Sequence, residues 1–303
     1  MFRKGQNYRI FINGSVVAEE TSCTVTRGVD TEDASNKDLA ADTSAGTIGG
    51  ANPIATYKNM TFQVEAQGAG AISLFNTAKA LMNDAGGAVG YAPTSGASTD
   101  GKHNRTGSPT YLKAMCNDLT ITAPNRQPVT CTAQFTVIPG TPDTPSSVDP
   151  AAAAIPTLRG EFVRLFIGAA SASSVIAQAT NCSLHLSLSM EDSTTKDDGS
   201  SSSSSLDYKS QSATQINYDI SSDCIYQGGL DGLTEGDVYF WSIGEVSAAG
   251  PSPSATSIIA SGKAMLTSLA LNAAVNQNIT YNGTFTGIGT LDASAPSNES
   301  QET

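Results

Sequence analysis

The side chains able to do chemistry are few and scattered. Five cysteines (Cys23, Cys116, Cys131, Cys182 and Cys224) and two histidines (His103 and His185) are the whole stock of thiol and imidazole groups in 303 residues. No two cysteines form a C-x-x-C pair, and neither histidine has a carboxylate or thiol at ligand spacing, so no zinc or dithiol motif is offered. Without a histidine beside them, Cys23 and Cys182 read as small core residues, not nucleophiles. His185, between Leu184 and Leu186, is expected to project from the opposite face of a strand. Asp192, Asp197 and Asp198 could gather around a hard cation, but their spacing fits no EF-hand, and a solvated loop is the simpler reading. Gly68-Ala-Gly70-Ala-Ile-Ser73 superficially resembles a dinucleotide-binding turn, yet the third glycine and the surrounding βαβ series are missing. Trp241 and Tyr239 read as packing residues on a strand. No acid–base pair or activated nucleophile emerges, so the expectation is a non-enzymatic protein with no cofactor and no bound metal.

The elements that must carry these residues are short strands joined by turns. The chain is rich in Gly, Ser, Thr, Ala and Asn, 6% aromatic and 15% charged, a composition unsuited to long surface helices. The net charge of −12 is uneven: residues 1–143 hold 11 Lys/Arg and 12 Asp/Glu, and the remainder holds 5 and 16. Such a chain has no basic patch with which to neutralise phosphates, which excludes nucleic-acid recognition. Odd, unpaired cysteines and an N-terminus without an apolar core point to reduced thiols and a cytoplasmically made protein. No apolar run approaches the roughly 20 residues of a membrane span.

The chain also repeats itself. Val17-Ala18-Glu-Glu-Thr21-Ser-Cys23 is answered by Ile176-Ala177-Gln-Ala-Thr180-Asn-Cys182, 159 positions on. Fourteen residues after each cysteine stands a Lys-Asp pair, Lys37-Asp38 and Lys196-Asp197. Arg9-Ile-Phe-Ile12 answers Arg164-Leu-Phe-Ile167, and Leu119–Thr136 lies over Leu269–Thr286 without a gap. Three registers kept in order indicate a duplication.

Within each unit, Asn13-Gly14 between Tyr8–Ile12 and Val16–Ala18 is a two-residue hairpin signal. Strands are expected after each cysteine and over 61–66, 238–246, 117–122 with 129–137, and 266–272 with 279–286. Apolar spacing over Ala71–Ala85 predicts a helix. Its counterpart, Cys224–Gly236, is interrupted by Gly228, Gly229 and Gly232 and should be weak or only a turn. Asp30–Thr56 and Asp192–Ala213, with the Ser200–Ser205 run, read as long loops. Pro139–Pro156 reads as a linker and 293–303 as a mobile tail.

Ile176-Ala177-x-x-Thr180-x-Cys182-x-Leu184, the Lys196-Asp197 loop, Gly262–Leu269, and the closing Tyr281-Asn-Gly-Thr-Phe285-Thr-Gly287-Ile-Gly289-Thr-Leu291 resemble, in that order, the major tail tube proteins of long-tailed bacteriophages. The first unit departs after Phe135, where Thr-Val-Ile-Pro-Gly stands in place of Gly-x-Gly-x-Leu. The resemblance implies a mainly β chain of two tandem sandwich or barrel domains, each with one short helix and long inserted loops. The expected bounds are 1–138 and 161–292, with a linker over 139–160. It implies a virion tail protein assembled in the host cytoplasm, in which three chains close into a pseudo-sixfold ring and rings stack into a channel for genome delivery. The partners implied are further copies of itself, a tape measure protein and tail terminator or tip proteins. DNA would pass without specific binding, and no part would enter a membrane. The inner tube of a contractile tail or injection device, and a tandem adhesive β-sandwich, are the alternatives.

Overall fold

The computed structural model describes residues 8–33, 53–94, 110–142, 158–168, 174–176, 178–195, 206–225, 230, 232–247 and 255–292. The N-terminal half opens with β1 (Tyr8–Ile12) and β2 (Ser15–Val16), which close around Asn13 and Gly14, both at positive φ as a two-residue hairpin turn requires. β3 (Glu20–Asp33) pairs with β4 (Pro53–Gln67); α1 (Gly68–Lys79), β5 (Gly87–Pro93), β6 (Thr110–Pro124) and β7 (Thr130–Val137) follow. Across the sheet these strands lie in the order β2-β1-β5-β6-β7-β4-β3, every pair antiparallel.

The C-terminal half begins with a 3-10 turn at Gly160–Phe162. It continues through β8 (Val163–Gly168), β9 (Ser174–Val175), β10 (Ala179–Asp192), β11 (Gln211–Ile225), β12 (Val238–Val246), β13 (Ala255–Asn272) and β14 (Thr280–Asp292). Their order, β9-β8-β12-β13-β14-β11-β10, matches the first half strand for strand. Three irregularities match as well, while the breaks at Ile243/Gly244, Glu245/Val246 and Ser261/Lys263 have no counterpart among the described residues of the first half. Register breaks fall between Glu20 and Ser22 and between Ala179 and Asn181, at Asp30/Thr31 and Ser189/Met190, and between Cys116 and Asp118 and between Leu266 and Ser268. Positive φ recurs at Glu19 and Gln178, and at Arg126 and Asn276. A bulge inserts one residue and redirects a strand, so the same bulge at the same place in both halves gives both the same bend.

β6 joins the halves. One edge carries β7; the other carries β5 over Thr110–Ala114 and then β10 over Asp118–Pro124, all antiparallel. The result is one branched 14-stranded antiparallel sheet whose pairing does not close into a barrel. Its apolar side chains form a single buried cluster from Ile10 through Phe62, Phe75, Leu119 and Phe135 to Leu184, Trp241 and Phe285. The chain is thus mainly β, as expected. The helix begins at Gly68 and ends at Lys79, earlier than the apolar spacing suggested, because Gly68 at φ +62° turns the chain directly out of β4. In the second half, the described residues of the expected counterpart Cys224–Gly236 are the strand end Cys224 and Ile225 in β11, then 230 and 232–236 as bends, turns and irregular chain, with no α-helix among them. None of the described helices is long and apolar enough to cross a membrane.

The loops are shorter than the sequence suggested. β3 runs to Asp33 and β4 starts at Pro53, while β10 runs to Asp192 and β11, which was not anticipated as a strand, starts at Gln211, so backbone pairing extends through stretches without a clean apolar face. β5 was not anticipated, since its sequence Gly-Ala-Val-Gly-Tyr-Ala-Pro has neither β-branched runs nor alternation.

Candidate functional site

The feature with functional content is the seam between the halves, together with the two edges that match it. In the seam, Asn181 to Ser187 of β10 lie antiparallel to Pro124 to Asp118 of β6, with Leu184 opposite Ile121, Cys182 opposite Ala123 and Leu186 opposite Leu119. All six side chains are buried. Removing Ile121 alone from water contributes on the order of 1.5–3 kcal/mol. On the polar face, His185 Nε2 and Asp118 Oδ2 meet at 2.9 Å. Behind the seam, Val129 N donates to Leu158 O (3.1 Å) and Gly160 N donates to Gln127 O (2.8 Å), which fastens the chain entering β8 to the β6–β7 turn. Gly160 is needed there: a Cβ would stand 2.2 Å from Pro124 O.

The seam uses one edge of β10 and one edge of β6. By strand order their counterparts are β3 and β13. Among the described residues, no strand pairs with the outer edge of β3, or with the edge of β13 over Ser268–Asn272 opposite to β14. Side chains buried in the seam or beside it have exposed equivalents at or near these edges. Ile121 is 2% exposed and Leu271 55%; Leu188 is 7% exposed and Val29 49%; Val129 is fully buried and Ile279 is 38% exposed.

Against the inner face of β3 lies a pocket of about 550 Å³ lined by Tyr8, Arg9, Glu20, Cys23, Val25 and Tyr91, among others. Ile10 N donates to Glu20 Oε2 at 3.2 Å, and Arg9 Nη1 donates to Glu20 O at 3.0 Å. Burial raises the Glu20 carboxyl to about 7, against the lowering effect of hydrogen bonds from Cys23 and Ile10 and of the Arg9 charge. The Cys23 thiol is pushed up to about 12, by burial first and then by Glu20. Cys116 and Cys182 are also raised to about 12, and Cys131 is raised, in each case chiefly by burial. Thiols held this far above neutrality carry almost no thiolate and make poor nucleophiles.

The signature residues have structural positions. Ala18 lies in the turn before β3, and Cys23 and Cys182 sit one bulge past the start of β3 and β10. Their sulfurs face equivalent carbonyls, Tyr8 O at 3.8 Å and Val163 O at 3.9 Å. Thr21 and Thr180 each donate a hydroxyl hydrogen bond across the strand pair, to Glu65 O and Asp223 O, both at 3.3 Å. Gly287 lies against the Tyr218 ring, where a Cβ would come within 2.3 Å, and Gly289 has φ +72°. Lys37, Asp38, Ala177, Lys196, Asp197, Asp198, His103, the Ser200–Ser205 run, most of the linker and the 293–303 tail lie outside the described residues. Asp192 Oδ2 pairs with Lys209 Nζ at 2.8 Å. Gly68–Ser73 is the start of α1, where Gly70 N donates to Glu19 Oε2 at 3.3 Å and a Gly70 Cβ would meet Ala18 O at 2.3 Å. These glycines serve a close approach of turn and helix. Trp241 is fully buried, in ring contact with Tyr218. Sequence reasoning missed Glu20 and the β5 wall of the pocket.

No protein family matches the chain, and no curated protein does. Among solved structures, one similar chain comes from the tail of an empty GTA particle refined helically with C6 symmetry. It shares 14% identity over 44% of this chain and 95% of its own, with a TM-score of 0.31.

Proposed function

We propose that this chain is a structural phage tail protein, the major tube subunit, whose two halves are tandem copies of one tube domain (1–138 and 161–292). The observation that carries the reading is the edge-to-edge seam of β10 on β6 between two halves of identical strand order, with the equivalent edges on β3 and β13 left open. A head-to-tail interface of this kind continues from chain to chain, and it closes into a ring when the rotation per unit allows. Closure also removes strand edges that would otherwise invite uncontrolled pairing. The ordered likeness of residues 176–291 to tail tube proteins supports the choice of a tube among the possible rings. In this reading three chains form a pseudo-sixfold ring and rings stack into a channel. Tape measure and terminator or tip proteins complete a virion tail, and DNA passes an acidic wall that gives phosphate little to hold. No catalytic role is assigned.

Negative-stain microscopy of the purified chain, with native mass measurement, tests this. Stacked rings with an open channel and a mass of three chains per ring are expected. A monodisperse monomer at high concentration overturns the tube.

A further inference from the structure

We propose that the pocket against β3 is the receptor for Leu271 of a second copy of this chain, with Ser22–Gly28 of one copy pairing antiparallel to Ser268–Ala274 of the other in the register of the internal seam. The inference rests on the tube reading for its setting, but its evidence is local. The same bulges and left-handed positions locate the equivalent residues in each half without ambiguity: Cys23 for Cys182, Val25 for Leu184, Leu271 for Ile121 and Ala273 for Ala123. Leu184 opposite Ile121 and Cys182 opposite Ala123 therefore become Val25 opposite Leu271 and Cys23 opposite Ala273.

The residue types on the two open edges suit that pairing. Both strands alternate, so the face carrying Cys23 and Val25 turns towards the pocket while Thr24 and Thr26 turn to solvent, on the face that carries His185 in the internal seam. On the opposing strand, Leu271 and Ala273 fall on the pocket side and Ala270 and Asn272 on the solvent side. A one-residue slip would put Leu271 in water and Asn272 in the pocket, so the apolar face fixes the register modulo two. At the equivalent place the internal seam has a strand, β6, paired to β10, whereas the outer edge of β3 has none among the described residues. Val25 is also smaller than Leu184, which leaves room for Leu271.

Cross-linking decides both partner and register. Thr24 and Asn272 would stand directly opposite each other on the solvent face, within the Cα separation a disulfide spans. Mixing full-length Thr24→Cys with full-length Asn272→Cys under mild oxidation should give covalent dimers of one chain of each kind. Thr24→Cys mixed with Ala270→Cys, two residues out of register, should give at most a tenth as much, and each variant alone should stay uncross-linked. Leu271→Asp should abolish assembly while leaving the thermal midpoint of the isolated chain unchanged, since Leu271 is more than half exposed there. Rings that form without the in-register cross-link, or that favour the Ala270→Cys pair, overturn the seam and leave the tube standing. In-register dimers that never close into rings uphold the seam and sink the tube. A chain that neither cross-links nor assembles loses both, and rings whose assembly is indifferent to Leu271→Asp overturn the seam alone.

Discussion

Glu20 is the residue whose chemistry is most altered by the fold. Its carboxyl stands at about 7 where the ordinary value is 4.5, with burial the largest cause. Because the fold disfavours the charged form, this contribution to stability is complete below the ordinary value and is lost as pH rises through about 7. The thermal midpoint of the chain should therefore fall between pH 4.5 and 8 by an amount that Glu20→Gln removes. Melting curves of both proteins across that range check it, and parallel curves would contradict it. The His185–Asp118 contact is a weaker matter: both side chains are about two-fifths exposed, so Asp118→Ala should cost about 0–1 kcal/mol by urea denaturation. Some of this was legible in the sequence. Thr21 and Thr180, which bond across equivalent strand pairs, were picked out by spacing alone, whereas Glu20 was not, since an acidic pair in a turn gives no sign that β1 will bury one member.

At the scale of elements, the strands that could be read were those with one apolar face. β12 was anticipated at its observed bounds, Val238–Val246. β3 and β4 were cut short because their outer portions have no clean alternation and are held by backbone pairing, and β11 was not anticipated as a strand. β5 was missed for the complementary reason: it is a strand because β1 and β6 flank it, and its small residues allow close approach, as at Gly90 beside Tyr111. The entry to β8 is similarly set by long-range fit. Gly160 lies against Pro124 O with no room for a methyl group. Gly160→Ala should therefore cost about 1–3 kcal/mol and loosen the seam more than either half. Its mark would be a lower urea midpoint, with Trp241 fluorescence and far-UV circular dichroism no longer changing together.

Considered as a whole molecule, the chain contains one seam between its halves and, at the equivalent places, two edges with no strand paired to them among the described residues. The equivalent halves are not identical at that joint. Where the internal one pairs His185 and Asp118 across its polar face, the corresponding positions of the open edges are Thr26 and Ser268; where the pocket holds Glu20, the second half has Ala179. The spacing of the sequence pointed to two units but not to which edges would meet, because pairing between strands far apart in the chain depends on bulges and bends that leave no local signal.

One arithmetical restriction follows from having the β10–β6 joint inside a single polypeptide. Every closed circle built from these chains holds an even number of seven-stranded units, and tethered and untethered junctions must alternate around it. Odd-membered circles, open to a single-unit ancestor, are closed to this one.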